Sequence, residues 1–189
     1  MFSPFAGALF YAGGKYDRTP KVDRYSAFIQ GMKMEFQGKL MTEQNFLLSG
    51  ELIEGGHSLV QRVYYEDTDF SGLVYHARYL HFLERGRTDY LRCLGCEQGA
   101  LLSADEEGLV FVVHRMEIDF KQPARMDDIL TIRTITEKAG GAKMVLTQEI
   151  RRGETLLIAA KVVIAVINRY GRPRRLPEAI AEKFLTAPI

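Results

Sequence analysis

The sequence predicts an α+β protein in which one long helix lies on a largely antiparallel β-sheet. Three observations carry this reading. From Tyr75 to about Leu94 apolar residues recur at Tyr79, Phe82, Leu83, Gly86, Tyr90, Cys93 and Leu94, the spacing of one helix face. Four later segments rich in strand formers are separated by Gln122-Pro123, Ala139-Gly140-Gly141 and Arg152-Gly153. The chain of 189 residues, 47% hydrophobic and 26% charged, is long enough to bury one full core and has an ordinary globular balance.

Residues 1–50 show neither helical nor strand period and are punctuated by Gly13, Gly14, Pro20, Gly31 and Gly38. They read as a poorly ordered arm, ahead of a folded domain over 51–176 and a short helix or tail over 177–189. Met41 stands just before the patterned sequence, so an upstream start site is the expected source of the first 40 residues.

Leu59 to Tyr65 reads as a strand, broken by turn formers from Asp67 to Gly72. The helix that follows spans roughly 30 Å at the standard rise. Gly86 on its buried face costs about 1 kcal/mol relative to alanine, which predicts close contact with the sheet. Gly95 supplies the stop. After the polar connector Glu97 to Gly108, with room for a short helix, strands are expected at Val110–Lys121, Ile129–Glu137, Ala142–Arg151 and Thr155–Asn168.

In the first of these, Val112, His114, Met116, Ile118 and Phe120 should share a face, making His114 a hydrogen-bonded core histidine. The last is apolar almost throughout, so both of its faces should be covered, by another layer or another subunit. Pro177 suits the first turn of a tail helix reaching Leu185.

A net charge of +1, from 25 basic and 24 acidic residues, gives no electrostatic argument for a nucleic-acid or membrane partner. A small molecule or a protein is the expected partner. The only two cysteines, Cys93 and Cys96, make no disulfide framework and point to a reducing compartment. Their C-x-x-C spacing lacks a second ligand pair and ends a helical pattern, so they read as packing residues. No run approaches the roughly 18 apolar residues of a membrane span, and the first residues lack the basic start of a secretory signal. A cytoplasmic location follows.

Chemistry concentrates between Val63 and Tyr79. Asp67, Asp69, Ser71 and Gly72 lie just before a helix N-terminus, where unpaired N–H groups and the macrodipole favour negative charge. Asp69 has the chemistry of a general base or a nucleophile, although on position alone a helix cap or turn former is the better reading. Gly72 permits positive φ or a close approach. The His76 backbone N–H could face a developing oxyanion, and its imidazole could serve as an acid. His76 and His81, five residues apart, align poorly for one metal, so no metal site is expected of them. Glu84, about 12 Å further along the helix, is either a solvated charge paired with Arg87 or Thr88 or an alternative carboxylate. Lys121, Arg125, Arg172, Arg174 and Arg175 could hold an anionic handle, though most such charges are simply solvated.

The string Tyr64-Tyr-Glu-Asp-Thr-Asp-Phe-Ser-Gly-Leu-Val-Tyr-His-Ala-Arg-Tyr79, followed by Phe82-Leu-Glu-Arg-Gly-Arg87, resembles the hotdog-fold acyl-CoA thioesterases of the 4-hydroxybenzoyl-CoA thioesterase type. It looks most like their Tol-Pal-associated YbgC branch. The likeness covers about Leu59 to Arg172, with Leu73 where isoleucine or valine is usual. It implies a hotdog fold, a sheet continued edge to edge in a homodimer or homotetramer, active sites between protomers, and an acyl-CoA or acyl-carrier-protein thioester as substrate, with no cofactor. It makes Asp69 the catalytic carboxylate, the His76 N–H the oxyanion donor and Gly72 the shaper of the turn. A second branch of these enzymes uses a helix glutamate where Glu84 falls, so Glu84 is the reserve carboxylate. The alternative on this fold is a non-hydrolytic acyl-CoA or acyl-carrier binding or assembly protein, and a hydratase reading lacks a matching Asp/His motif.

Overall fold

Residues 50–103 and 105–186 are described by the structure, a computed structural model; apart from Gly50, the expected arm lies outside them. The elements are β1 (Glu51–Ile53), β2 (Gly56–Arg62), α1 (Arg78–Cys93), α2 (Gln98–Ser103), β3 (Val110–Phe120), β4 (Ile129–Gly140), β5 (Lys143–Arg152), β6 (Thr155–Ile167) and α3 (Glu178–Leu185). One six-stranded sheet runs in the order β1-β2-β4-β5-β6-β3, and every neighbouring pair is antiparallel. This is the predicted α+β layout.

The long helix lies where its apolar period directs it. Tyr79, Phe82, Leu83, Gly86 and Tyr90 are buried, with Phe82 and Leu83 packed among Leu130, Ile132, Ile150 and Leu157. Burying a side chain of this size contributes roughly 1.5–3 kcal/mol. Tyr90 belongs to the other half of the core with Met144, Val162 and Val166, and the ring of Phe184 from α3 meets it edge-on at 5.2 Å. A Cβ on Gly86 would come 2.8 Å from Ile132 Cγ2 and 3.2 Å from Thr134 Oγ1, so the predicted close contact is with β4.

Three local expectations change. The strand expected over Leu59–Tyr65 starts earlier and ends at Arg62, because Tyr65–Asp67 turn into a short 3-10 helix. Ahead of it, β1 forms a hairpin with β2 whose turn places Gly55 at φ 67°, a conformation that glycine adopts without penalty. In β3 the register against β6 shifts between Val113 and Arg115, leaving His114 without a cross-strand partner. This bulge reverses the alternation: Val113, Met116, Ile118 and Phe120 pair with the inward-facing Ile164, Val162, Ala160 and Ile158, whereas Val112 pairs with Ala165. His114 is exposed and is not a core histidine.

On β6, Ile158, Ala160, Val162, Ile164 and Val166 enter the core. Its other face, with Ala159, Val163, Ala165 and Ile167, is only partly covered, so a single chain does not enclose both sides. Among the described residues no helix is long and apolar enough to cross a membrane.

Candidate active site

The loop between β2 and α1 carries the acidic residues, and the structure separates their roles. Asp67 is buried. Its Oδ2 accepts the Tyr64 N–H at 2.8 Å and its Oδ1 accepts Arg78 Nε at 2.8 Å, so it ties the loop to the first residue of α1. Arg78 also reaches Glu66 at 3.1 Å. Nothing in the spacing of Asp67 and Asp69 distinguishes this anchor from the exposed carboxylate two residues on.

Asp69 heads a tight turn. Its N–H donates to the Leu73 carbonyl at 2.8 Å, the Gly72 N–H donates back to its carbonyl at 3.0 Å, and Thr68 bridges Val74. Gly72 sits at φ 74° with nothing within 4 Å of where a Cβ would be, so glycine is required here by conformation and not by space. A left-handed residue with a side chain costs about 1–2 kcal/mol. The Val74 N–H to Ala124 carbonyl bond at 2.9 Å and the Leu73–Arg125 bridge fix the turn to the segment after β3.

Asp69 Oδ1 accepts the Ser71 hydroxyl at 2.5 Å and the Ser71 N–H at 2.8 Å. These two bonds, the hydroxyl first, hold its carboxyl below the ordinary carboxylate range, with smaller help from the Leu73 amide and the charge of His76. The group is ionised at neutral pH.

His76 lies one residue before Ala77, the N-cap of α1, so it stands just outside the helix and not at its first turn. Among the described residues its backbone N–H makes no hydrogen bond within the chain, although the neighbouring Tyr75 N–H is bonded to the Asp67 carbonyl at 2.9 Å. The His76 ring is exposed and contacts the Tyr75 ring at 4.4 Å. The structure thus gathers Asp69, Ser71, Gly72 and the free His76 amide around one turn.

Glu84 is elsewhere, two turns down α1. It is exposed and accepts the Thr88 hydroxyl at 2.5 Å, the helical pairing foreseen for it. Of the basic candidates, Arg174 is engaged by Asp105, with Nη1 to Oδ1 at 2.9 Å, while Lys121 reaches only Asp119 at 3.9 Å. Arg125 is exposed and adjoins the Asp69 turn through its Leu73 bridge.

Two buried polar groupings were not foreseen. His57 Nε2 lies 3.0 Å from Asp89 Oδ2, which also accepts the Gly50 N–H at 2.6 Å. Burial opposes charge on Asp89, but these bonds outweigh it and keep its pKa low. Cys93 comes within ligand distance of this pair. Burial, and then the Asp89 charge, push its thiol up to about 11, so the protonated thiol belongs to a hydrogen-bonded clamp between β2 and α1. The second grouping is Arg87, whose Nη1 donates to Gln148 Oε1 at 2.8 Å, while Gln148 Nε2 donates to the Leu83 carbonyl and Thr134 Oγ1, each at 2.9 Å. Contacts across 32 and 61 residues have no local signature in the sequence.

A long helix laid on an antiparallel sheet is the hotdog arrangement of the thioesterases, and here the Asp69 turn and the unbonded His76 amide lie just before that helix. The family described as "Thioesterase superfamily" matches residues 71–159, a range that includes His76 and Glu84 and begins just after Asp69. The acyl-CoA thioesterase YbgC of Haemophilus influenzae is 44% identical over 117 residues, covering 62% of this chain and 85% of that protein. The acyl-CoA thioester hydrolase YbgC of Escherichia coli O6:H1 is 43% identical over 125 residues, covering 65% and 91%. Among solved structures, a probable thioesterase from Bartonella henselae is similar with a TM-score of 0.62 and 52% identity, covering 65% of this chain and 99% of that one. The chain therefore belongs to the thioesterase superfamily, as a homologue of the YbgC acyl-CoA thioesterases.

Proposed function

We propose that this protein hydrolyses an acyl-CoA thioester with Asp69 as its catalytic carboxylate and the His76 N–H as its oxyanion donor. The observation that carries the assignment is the pairing of an ionised carboxylate with an unbonded backbone amide across the Gly72 turn. The thioester carbonyl oxygen docks against the His76 amide, where the positive end of the α1 dipole adds to the polarisation. Asp69 either deprotonates a water that attacks the carbonyl carbon, the proton passing on to the departing sulfur, or attacks that carbon itself to give an acyl anhydride that water then hydrolyses to the acid; in both routes the C–S bond breaks and CoA leaves as the thiol. Ser71 orients the carboxylate by binding one of its oxygens.

A site as open as this one needs enclosure. Asp69, Phe70 and Tyr75 are exposed in the single chain, and Phe70 fully so. A second copy joined through the β3 edge of the sheet supplies the missing wall. An acyl-carrier-protein thioester offers the same reacting group, and a thiol-release assay run on both donors separates them.

The test is free-thiol release from acyl-CoA by wild type and Asp69→Asn. The variant should fold and lose activity by about 10²–10⁴-fold. Turnover close to wild type would remove Asp69 from the mechanism and pass the role to Glu84, to be checked with Glu84→Gln.

A further inference from the structure

A cavity of about 200 Å³ lies between α1 and the sheet, walled by Leu91, Phe111, Val113, Met144 and Ile164 with Glu84 and Arg87 at its side. The sheet supplies apolar side chains, while Thr88 on α1 and Gln98 on α2 add neutral polar groups to the lining. Arg87 is the unusual member: it is partly buried, its one hydrogen bond is to the neutral Gln148, and among the described residues it forms no ion pair. Burial lowers its pKa, and the negative charge of Glu84 is the only opposing influence. A guanidinium has five donors in a planar fork, and here only one of them is used within the chain. Gln148, itself fixed by the Leu83 carbonyl and Thr134, holds the fork in place.

The cavity also has a definite relation to the carboxylate turn. The Asp69 turn adjoins the C-terminal end of β3, where Phe120 meets the Tyr79 ring at 5.9 Å and Leu73 bridges Arg125. The cavity adjoins the N-terminal end of the same strand, at Phe111 and Val113. Since β3 is an edge strand, an isologous pair of copies joined there must run antiparallel. The N-terminal end of one β3 then lies beside the C-terminal end of the other, and this cavity beside the partner's Asp69.

We propose that this cavity receives the acyl group of the thioester held at the partner's Asp69, and that Arg87 is a specificity-determining residue that hydrogen-bonds a neutral oxygen, a hydroxyl or oxo group, at the acyl group's far end. The inference rests on the thioesterase reading above and on pairing through β3. The volume, below the roughly 300–1,000 Å³ of drug-sized sites, suits a short acyl group. Glu84 on the same wall argues against a second carboxylate and for a neutral acceptor.

The experiment compares 6-hydroxyhexanoyl-CoA with hexanoyl-CoA for wild type, Arg87→Met and Arg87→Lys. Wild type should favour the hydroxylated thioester by about 10-fold or more in kcat/KM, the worth of a charge-assisted hydrogen bond. Arg87→Met should bring the ratio close to one, mainly through KM, and Arg87→Lys should restore part of it. Equal rates on both thioesters in wild type, or a ratio that survives in Arg87→Met, would overturn the proposal. If Arg87→Met fails to fold, calorimetric binding of the two thioesters to Asp69→Asn decides it, equal affinities counting against. Should wild type hydrolyse neither thioester, calorimetric binding of the two to wild type decides the role of Arg87 separately from the thioesterase reading, which thiol release from other acyl donors then tests.

Discussion

His76 acts through its backbone in this mechanism, so its ring should be dispensable. His76→Ala should keep turnover within a few-fold of wild type, whereas loss of an oxyanion donor typically costs about 10²–10³. The pH profile gives the same test a second arm. The Asp69 pKa is lowered by its bonds to Ser71, so the carboxylate stays ionised down through the ordinary carboxylate range, and kcat/KM should fall only at pH values below that range. Between about pH 5.5 and 7.5 the profile should be flat in wild type and variant alike. An acid limb in that window that disappears in His76→Ala would put the imidazole in the mechanism. At this scale the sequence distinguishes little by itself: Asp67 and Asp69 are the same residue type two positions apart, and only folding makes one a buried partner of Arg78 and the other an exposed carboxylate.

Elements were far more legible than contacts, for reasons visible in α1 and β3. A helix face repeats over many residues, so Tyr79, Phe82, Leu83, Gly86 and Tyr90 announce α1 and its buried side. The turn glycines Gly140, Gly141 and Gly153, all at positive φ, mark the hairpins that join β4, β5 and β6. A bulge leaves no such trace: one extra residue at His114 exchanges the two faces of β3 without altering its composition. The His57–Asp89 clamp and the Arg87–Gln148 pair depend on how far α1 settles onto the sheet, which Gly86 controls. Gly86→Val would drive a branched side chain into Ile132, where even a Cβ comes within 2.8 Å. Overpacking of this kind costs about 1–3 kcal/mol, to be read as a lower urea midpoint at unchanged slope. A midpoint at the wild-type value would mean that β4 gives way freely and that the close approach is not required.

At the scale of the whole molecule, one edge of the sheet combines a long unpaired strand with exposed apolar side chains. β3 has β6 on one side only, and Val113 and Phe120, on the helix-bearing face, are 48% and 54% exposed. Long exposed edges carrying apolar side chains are templates for pairing with another strand, and proteins that keep them normally cover them. A two-fold pair through β3 would cover this edge and wall in the exposed Asp69 turn. Such a pairing would belong to the active site as much as to stability. Wild type should sediment at twice the mass of the chain. Val113→Asp places a charge where the pair requires an apolar contact, and burying it unpaired costs several kcal/mol, enough to dissociate the pair at micromolar concentration. The variant should sediment as a folded monomer by circular dichroism and lose thiol release together with its partner. A monomeric Val113→Asp that still turns over like wild type would show that the site is complete within one chain, and the acyl group would then have to be held by the residues of its own protomer.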